Sequence, residues 1–144
     1  MTSFKSEFLN IMHERGFYNQ CTNEQGFDEY LADCEKKGMP AVGYLGSDPT
    51  GDSLHVGHIV PLMMLRWFQK CGHKPLTLVG GATARIGDPS GKNTTRPQLS
   101  QEQVQANAET YVAQAMKILD PEKTKIVYNA DWILSLDLKQ LLGL

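Results

Sequence analysis

The sequence predicts an α/β fold: a parallel sheet whose strands alternate with helices, preceded by two helices. Three observations predict it. Short apolar runs recur at residues 40–46 (PAVGYLG), 74–81 (KPLTLVGG) and 123–129 (KTKIVYN). Longer segments with helical spacing separate them, and strands that alternate with helices pair in parallel through right-handed crossovers. The first two runs end in glycine-rich segments, GSDPTGDS and GGATARIGDPSGK. In a parallel sheet those segments meet at the carboxyl edge, where ligands bind.

The elements follow in order. SEFLNIMHERG (6–16) starts with a capping residue and ends in glycine, and Phe8, Ile11 and Met12 keep helical spacing. NEQGFDEYLADCEKKG (23–38) reads as a second helix, with Phe27, Tyr30, Leu31 and Cys34 on one face. The first strand follows, then the turn-rich DPTGDS (48–53). An apolar helix spans about 54–71, and the strand at 74–81 reads as buried on both faces. Residues 82–100 form a long loop rich in Gly, Pro, Ser and Thr, a length that in a compact domain marks function or disorder. Ser100 and Gln103 make a capping box for a helix over about 101–119. After the third strand, Asp131 is placed to cap a short helix, and LKQLLGL reads as one more amphipathic helix. There is no internal repeat and no linker.

Composition bounds the function classes. At 144 residues the chain can bury one real core, and 41% apolar with 21% charged residues is ordinary for a soluble globular protein. A net charge of −2 gives no overall basic footprint for nucleic acid, although a local patch can sit on a neutral protein. Cys21, Cys34 and Cys71 are widely spaced and form no CxxC, which fits a reducing compartment better than a disulfide framework or zinc ribbon. No run approaches the ~18 apolar residues of a membrane span, and no secretory leader fits the charged start. The expected location is the cytoplasm.

The densest chemistry lies in YLGSDPTGDSLHVGH (44–58). His55 and His58 stand three residues apart and share a helix face. They can be a metal pair, a pair with no role, or an anion site. The metal reading lacks nearby ligands, since Cys71 and His73 lie at the far end of the helix. The anion reading draws on free N–H groups and the positive dipole end of a helix start, two imidazole donors, and Gly57, which lets a flat ligand approach. Pro61 cannot bond the carbonyl of Gly57, which either frees backbone groups or merely kinks the helix. GDPSGKNT is not a Walker loop, and no GxGxxG is present.

These blocks resemble a known family. His55-Val56-Gly57-His58 looks like the HIGH signature of class I aminoacyl-tRNA synthetases. The ordered set YLGSDPTGDSLHVGH, GHKPLTLVGGATARIGDPSGK and YNADW is similar to the bacterial-type tyrosyl-tRNA synthetases. A lone HxGH is weak, whereas three blocks in order are specific. The resemblance runs over nearly the whole chain but only the first part of that family's length. It implies a Rossmann-like nucleotide-binding catalytic domain, incomplete here. Residues 1–38 would be a helical segment, and residues 39–144 the first part of that domain.

The resemblance also implies roles. Tyr44 would hydrogen-bond the phenolic hydroxyl of tyrosine; without the match it reads as a half-buried strand tyrosine. Gly46, Asp48 and Thr50 match the turn against ATP, with Thr50 towards the γ-phosphate. His55 and His58 would contact phosphates and ribose, and Gly57 would pack under the adenine. Asp88 matches the carboxylate that holds the substrate ammonium, although it could close an Asx turn. Lys92 and Arg96 match cations that clamp pyrophosphate, and otherwise read as a solvated charged loop. Asn129 falls near the tyrosine pocket. Implied substrates are L-tyrosine, ATP with Mg2+, and tRNA(Tyr), and the full-length protein would be a homodimer with no membrane contact. No resident metal site is expected.

The sequence departs from the family at Leu45, where many relatives carry cysteine, and at Ser47, where an aromatic is common. No lysine-rich KMSKS signature and no anticodon-binding region occur within the 144 residues. The expectation is therefore a fragment that is inactive in isolation. The alternative is a non-catalytic nucleotide-binding module that retains the half-site.

Overall fold

The structure, a computed structural model, describes residues 4–85, 99–141 and 143. The chain runs α1 (Glu7–Glu14), α2 (Glu24–Lys37), β1 (Val42–Ser47), α3 (Val56–Lys70), β2 (Lys74–Val79), a single 3-10 turn (Thr83–Arg85), α4 (Gln101–Ala115), β3 (Lys125–Tyr128), α5 (Ala130–Ile133) and α6 (Leu138–Leu141). The three strands form one parallel sheet in the order β1-β2-β3. This is the α/β alternation that the sequence predicts.

The helix boundaries have local causes. Asn23 caps α2 by accepting the Gly26 N–H at 2.9 Å, and Gly38 ends it in the left-handed region at φ 63°. The Ser100–Gln103 capping box is present at the start of α4. That helix ends at Ala115 rather than near 119, because both Ile118 and Leu119 turn their N–H groups onto the Ala115 carbonyl. Ser6 does not cap α1 as expected: its hydroxyl donates instead to Asp28 Oδ1 at 2.7 Å. Asp131 is not a cap either. It lies inside α5, and Asn129 holds the capping position without a side-chain cap bond.

Two apolar clusters cover one face of the sheet. Phe8, Leu9 and Met12 of α1, Leu31 and Cys34 of α2, Ala41 and Phe68 of α3 form the first. The second joins Leu62 and Leu65 of α3 to Tyr111, Ala115 and Leu119, with Leu45 of β1 packed against it. Tyr30, expected on the inner face of α2, is 55% exposed; Asp28 takes a buried place there instead.

The other face of the sheet is open. Val42 and Tyr44 of β1 are 65% and 73% exposed. Leu76, the register neighbour of Tyr44, and the next same-face residue, Leu78, are only half-buried. The expectation that β2 is buried on both faces is thus corrected. Its residues alternate, with Pro75, Thr77 and Val79 buried towards the helices and Leu76 and Leu78 towards the uncovered side.

Asp28 ties α2 to the start of α1. It accepts from the Lys5 N–H, the Ser6 N–H and the Ser6 hydroxyl at 2.9, 2.9 and 2.7 Å. Burial opposes its charge, but these bonds and the Lys5 ammonium hold the carboxyl below its ordinary range. A depressed folded-state pKa contributes stability that is present above the unfolded value and lost as pH falls through the folded one. Asp28→Asn is therefore expected to cost about 2 kcal/mol at pH 7 and less as pH falls below about 4. Urea unfolding at both pH values checks this, and equal stability of the two proteins at pH 7 contradicts it.

Gly43 faces Phe68, and a Cβ there would lie 2.9 Å from Cε1 and 3.1 Å from Cζ of the ring. The ring is buried and has no free end to swing aside. Gly43→Ala is expected to destabilise by about 1–3 kcal/mol through overpacking. An unfolding midpoint equal to that of the unsubstituted chain would show that the ring can move.

Candidate functional site

The parallel register brings the carboxyl ends of all three strands to one edge, and the chemistry gathers there. The segment between β1 and α3 is clamped from the side by α4. Asn107 Nδ2 donates to the Pro49 carbonyl at 3.1 Å, and the Leu54 N–H donates to Gln114 Oε1 at 2.9 Å. Asn107, Tyr111 and Gln114 follow helical spacing, so one face of α4 holds the whole segment. Within it, the Thr50 N–H returns to the Asp48 carbonyl at 2.8 Å, and Thr50 itself is exposed.

His55 does not lie on the helix, as its spacing from His58 led one to expect. It is the N-cap of α3 in extended conformation, with φ −113° and ψ 175°. The two histidines meet by capping each other's backbone. The Gly57 N–H donates to His55 Nδ1 at 3.1 Å, and the His55 N–H donates to His58 Nδ1 at 3.2 Å. The ring centroids are 4.0 Å apart. This fixes the protonation pattern. A ring nitrogen that accepts a backbone N–H carries no proton, so each neutral imidazole bears its proton on Nε2. Burial first, and then the neighbouring His55, hold His58 below its ordinary range. The pair is set as two Nε2–H donors at a helix N-terminus. Tyr111 supports His58 edge-on, with ring centroids 6.2 Å apart.

Gly57 has a nearer cause than room for a ligand. A Cβ there would lie 2.9 Å from His55 Cε1, so glycine lets the imidazole fold back over the helix start. Gly46 lies near the end of β1 on the open face, where a Cβ would come 3.3 Å from Leu78 Cδ2. Tyr44 stands on that same face, mid-strand rather than at a strand end, beside Leu76.

Asp48 and Asn129 are joined by a residue to which the sequence assigned no role. Thr83 Oγ1 donates to Asp48 Oδ1 at 2.6 Å and accepts from Asn129 Nδ2 at 3.0 Å. Asn129 is buried and accepts the Ala82 N–H on Oδ1 at 2.9 Å, which fixes the direction of its amide. Gly80 makes the crossing possible, because a Cβ there would lie 1.8 Å from Asp48 Oδ1. The sequence signal was present: two adjacent glycines end the second strand, with a hydroxyl residue two positions on.

The structure therefore brings together His55, His58 and Gly57 at the start of α3, and Asp48 and Asn129 across the strand ends. Asp88, Lys92 and Arg96 lie outside the described residues. A groove of about 330 Å³ runs beside the end of β3, lined by Arg85, Tyr128 and Asp131 among others. A cleft of about 640 Å³ lies at the opposite edge, beside His73, Lys74 and Lys125. His55 and His58 line neither, so their donors form an open wall. Among the described residues no cluster of His, Cys, Asp and Glu could hold a metal ion, and no helix is long and apolar enough to cross a membrane.

Known proteins are similar to this chain in sequence and fold. The family described as tRNA synthetases class I (W and Y) matches residues 36–144. A tyrosine--tRNA ligase of Pseudomonas aeruginosa is 43% identical over 129 residues, covering 90% of this chain and 30% of that protein. One from Shewanella oneidensis is 51% identical over 114 residues, covering 76% of this chain and 29% of its own length. A C-terminally truncated mitochondrial tyrosyl-tRNA synthetase of Aspergillus nidulans superposes with a TM-score of 0.75 at 25% identity, covering 94% of this chain and 41% of that one. The chain thus spans about a third of the curated relatives it matches, and its sheet is an incomplete form of their Rossmann-like fold. With the match extending from α2 to the last residue, the chain belongs to the class I tRNA synthetases of the tryptophan and tyrosine group.

Proposed function

We propose that this chain carries one wall of a tyrosine-activating site, with residues for both ATP and tyrosine. The carboxylate of L-tyrosine attacks the α-phosphorus of ATP, the bond to the bridging oxygen of pyrophosphate breaks, and tyrosyl-adenylate forms. The tyrosyl group then passes to a ribose hydroxyl of tRNA(Tyr). A carboxylate is already a nucleophile, so the step needs no general base. It needs in-line placement and donors for charge that moves onto the departing phosphates. The observation that carries the reading is the pair of Nε2–H donors fixed at the N-terminus of α3. They offer neutral, pre-oriented hydrogen bonds where the helix dipole also favours an anion.

In this reading Gly46, Asp48 and Thr50 form the turn against ATP with Thr50 towards the γ-phosphate, His55 and His58 contact the phosphates and ribose, and Gly57 packs under the adenine. Tyr44 meets the phenolic hydroxyl. Asp88, Lys92 and Arg96 supply the ammonium contact and the pyrophosphate clamp. Mg2+ enters with the phosphates of ATP as part of the substrate. The setting is cytoplasmic and the working form a homodimer. The exposed apolar side chains Trp132, Leu134 and Leu138 support burial in a larger assembly.

The test is tyrosine-dependent ATP–pyrophosphate exchange. It is run on the chain alone and on the chain mixed with a separately made polypeptide that supplies the part of the Pseudomonas aeruginosa relative following the match. Exchange is expected only in the mixture, because this chain offers one wall of the site. A chain that binds Mg·ATP but never supports exchange would instead be a nucleotide-binding module. In the active mixture, His55→Ala should lower the exchange rate by about 10–1,000-fold with a smaller effect on substrate affinity. Normal rate with weakened binding would contradict a role in the transition state.

Tyr44→Phe removes one hydroxyl from the face that would meet the substrate phenol. The preference for tyrosine over phenylalanine in exchange should narrow by about tenfold, the scale of one lost hydrogen bond. An unchanged ratio would place hydroxyl recognition on other residues.

A further inference from the structure

We infer that Thr83 is a positioning residue that locks Asp48, on the nucleotide side, to Asn129, on the amino-acid side, as one hydrogen-bonded unit. The assignment rests on the tyrosine-activation reading and adds to it a residue that acts through the two groups it binds.

The geometry gives the unit a direction. The Ala82 N–H occupies Asn129 Oδ1, so Asn129 presents its Nδ2 donor to Thr83. Thr83 has a single hydroxyl proton and two possible acceptors, Asp48 Oδ1 at 2.6 Å and the Gly80 carbonyl at 3.2 Å. The carboxylate is nearer and charged, so it takes the proton and leaves the hydroxyl oxygen to accept from Asn129. The chain of donation runs from Asn129 through Thr83 to Asp48. Each bond polarises the next towards the negative end.

Its placement separates it from an ordinary turn contact. A turn threonine needs only the Gly80 carbonyl, three residues back. Thr83 also reaches 35 residues back to Asp48, beyond β1, and 46 residues on to Asn129, at the end of β3. It therefore spans the full width of the sheet at the edge where both substrates are placed. Losing the hydroxyl leaves an aspartate and a buried asparagine without their shared partner, so both walls shift together.

The test uses the 144-residue chain with Thr83→Val, which keeps the shape and loses the hydroxyl, and Thr83→Ser, which keeps the hydroxyl. The first readout needs no ligand: exchange with water of the Asn129 side-chain amide protons, followed by nitrogen-edited NMR. Thr83→Val should speed it by about tenfold, and Thr83→Ser should leave it close to the unsubstituted chain. Unchanged exchange in a folded Thr83→Val protein overturns the lock, whatever ligands bind. The second readout is coupling. Titration with Mg·ATP should move the Asn129 side-chain resonance in the unsubstituted chain and in Thr83→Ser, but not in Thr83→Val. A purely structural threonine would leave that response intact, so the same shift in Thr83→Val overturns the positioning role. A folded, unsubstituted chain that ignores Mg·ATP would overturn the nucleotide reading on which the role rests, while the exchange result alone would still decide whether the lock exists.

Discussion

Parallel pairing of β1, β2 and β3 is the constraint from which the rest follows. It sends the three carboxyl ends to one edge and obliges each connection to cross back over the sheet. The linked polar groups Asp48, Thr83 and Asn129 are held by that edge. Asp48 follows β1, Thr83 follows β2, and Asn129 follows β3. The glycines there have steric tasks: Gly80 lets a carboxylate cross the end of β2, and Gly43 lets Phe68 press against β1. An antiparallel arrangement of the same strands would scatter these side chains over two edges.

The second organising device is the reciprocal cap at the start of α3. A serine or aspartate cap would satisfy the same orphan N–H groups. Histidine does so with a ring that keeps a donor on its far side. One nitrogen serves the fold and the other keeps its proton as a donor, so the cap does not use up the ring's hydrogen bonding. Burial of His58 strengthens the division, because a neutral ring alone can accept at Nδ1 and donate at Nε2. Asn107 and Gln114 extend the support outward by fixing the segment that delivers His55.

Much of this was legible in the sequence. Strand alternation, glycine-rich segments and helical spacing gave the layers and their order, because periodicity reports which residues face a core. The Ser100–Gln103 box was readable because capping is local. What escaped was non-local. Nothing near Ser6 announces that its hydroxyl will turn to Asp28, 22 residues away. Nothing in the spacing of His55 and His58 says that one lies outside the helix, since the cap geometry depends on the turn before it. Thr83 received no role because its partners lie 35 and 46 residues distant, and the glycine pair before it marks a crossing without saying what crosses. Tyr30 and the outer face of β2 were misjudged for a different reason. Apolar pattern shows what could be buried, and the partner that would bury it need not be in the same stretch of chain.

That last point bears on the open face of the sheet. Parallel sheets are ordinarily covered on both sides, because crossover helices bury both faces. Here α3 and α4 reach the same side, and Val42, Tyr44, Leu76 and Leu78 form an apolar strip on the other. β1 is also an edge strand among the described residues, with no proline, no charge and no bulge to protect it. In the doubly wound pattern, strand order reverses beside the first strand, and ligands sit at that reversal. The uncovered strip and the unprotected edge both include β1, whose chain continues into the segment that carries the histidine pair. Tyr44, which belongs to the strip, is more exposed than a core tyrosine tolerates and more apolar in its setting than a surface tyrosine needs. Among the described residues no second layer of protein reaches it, and its ring stands clear beside Leu76.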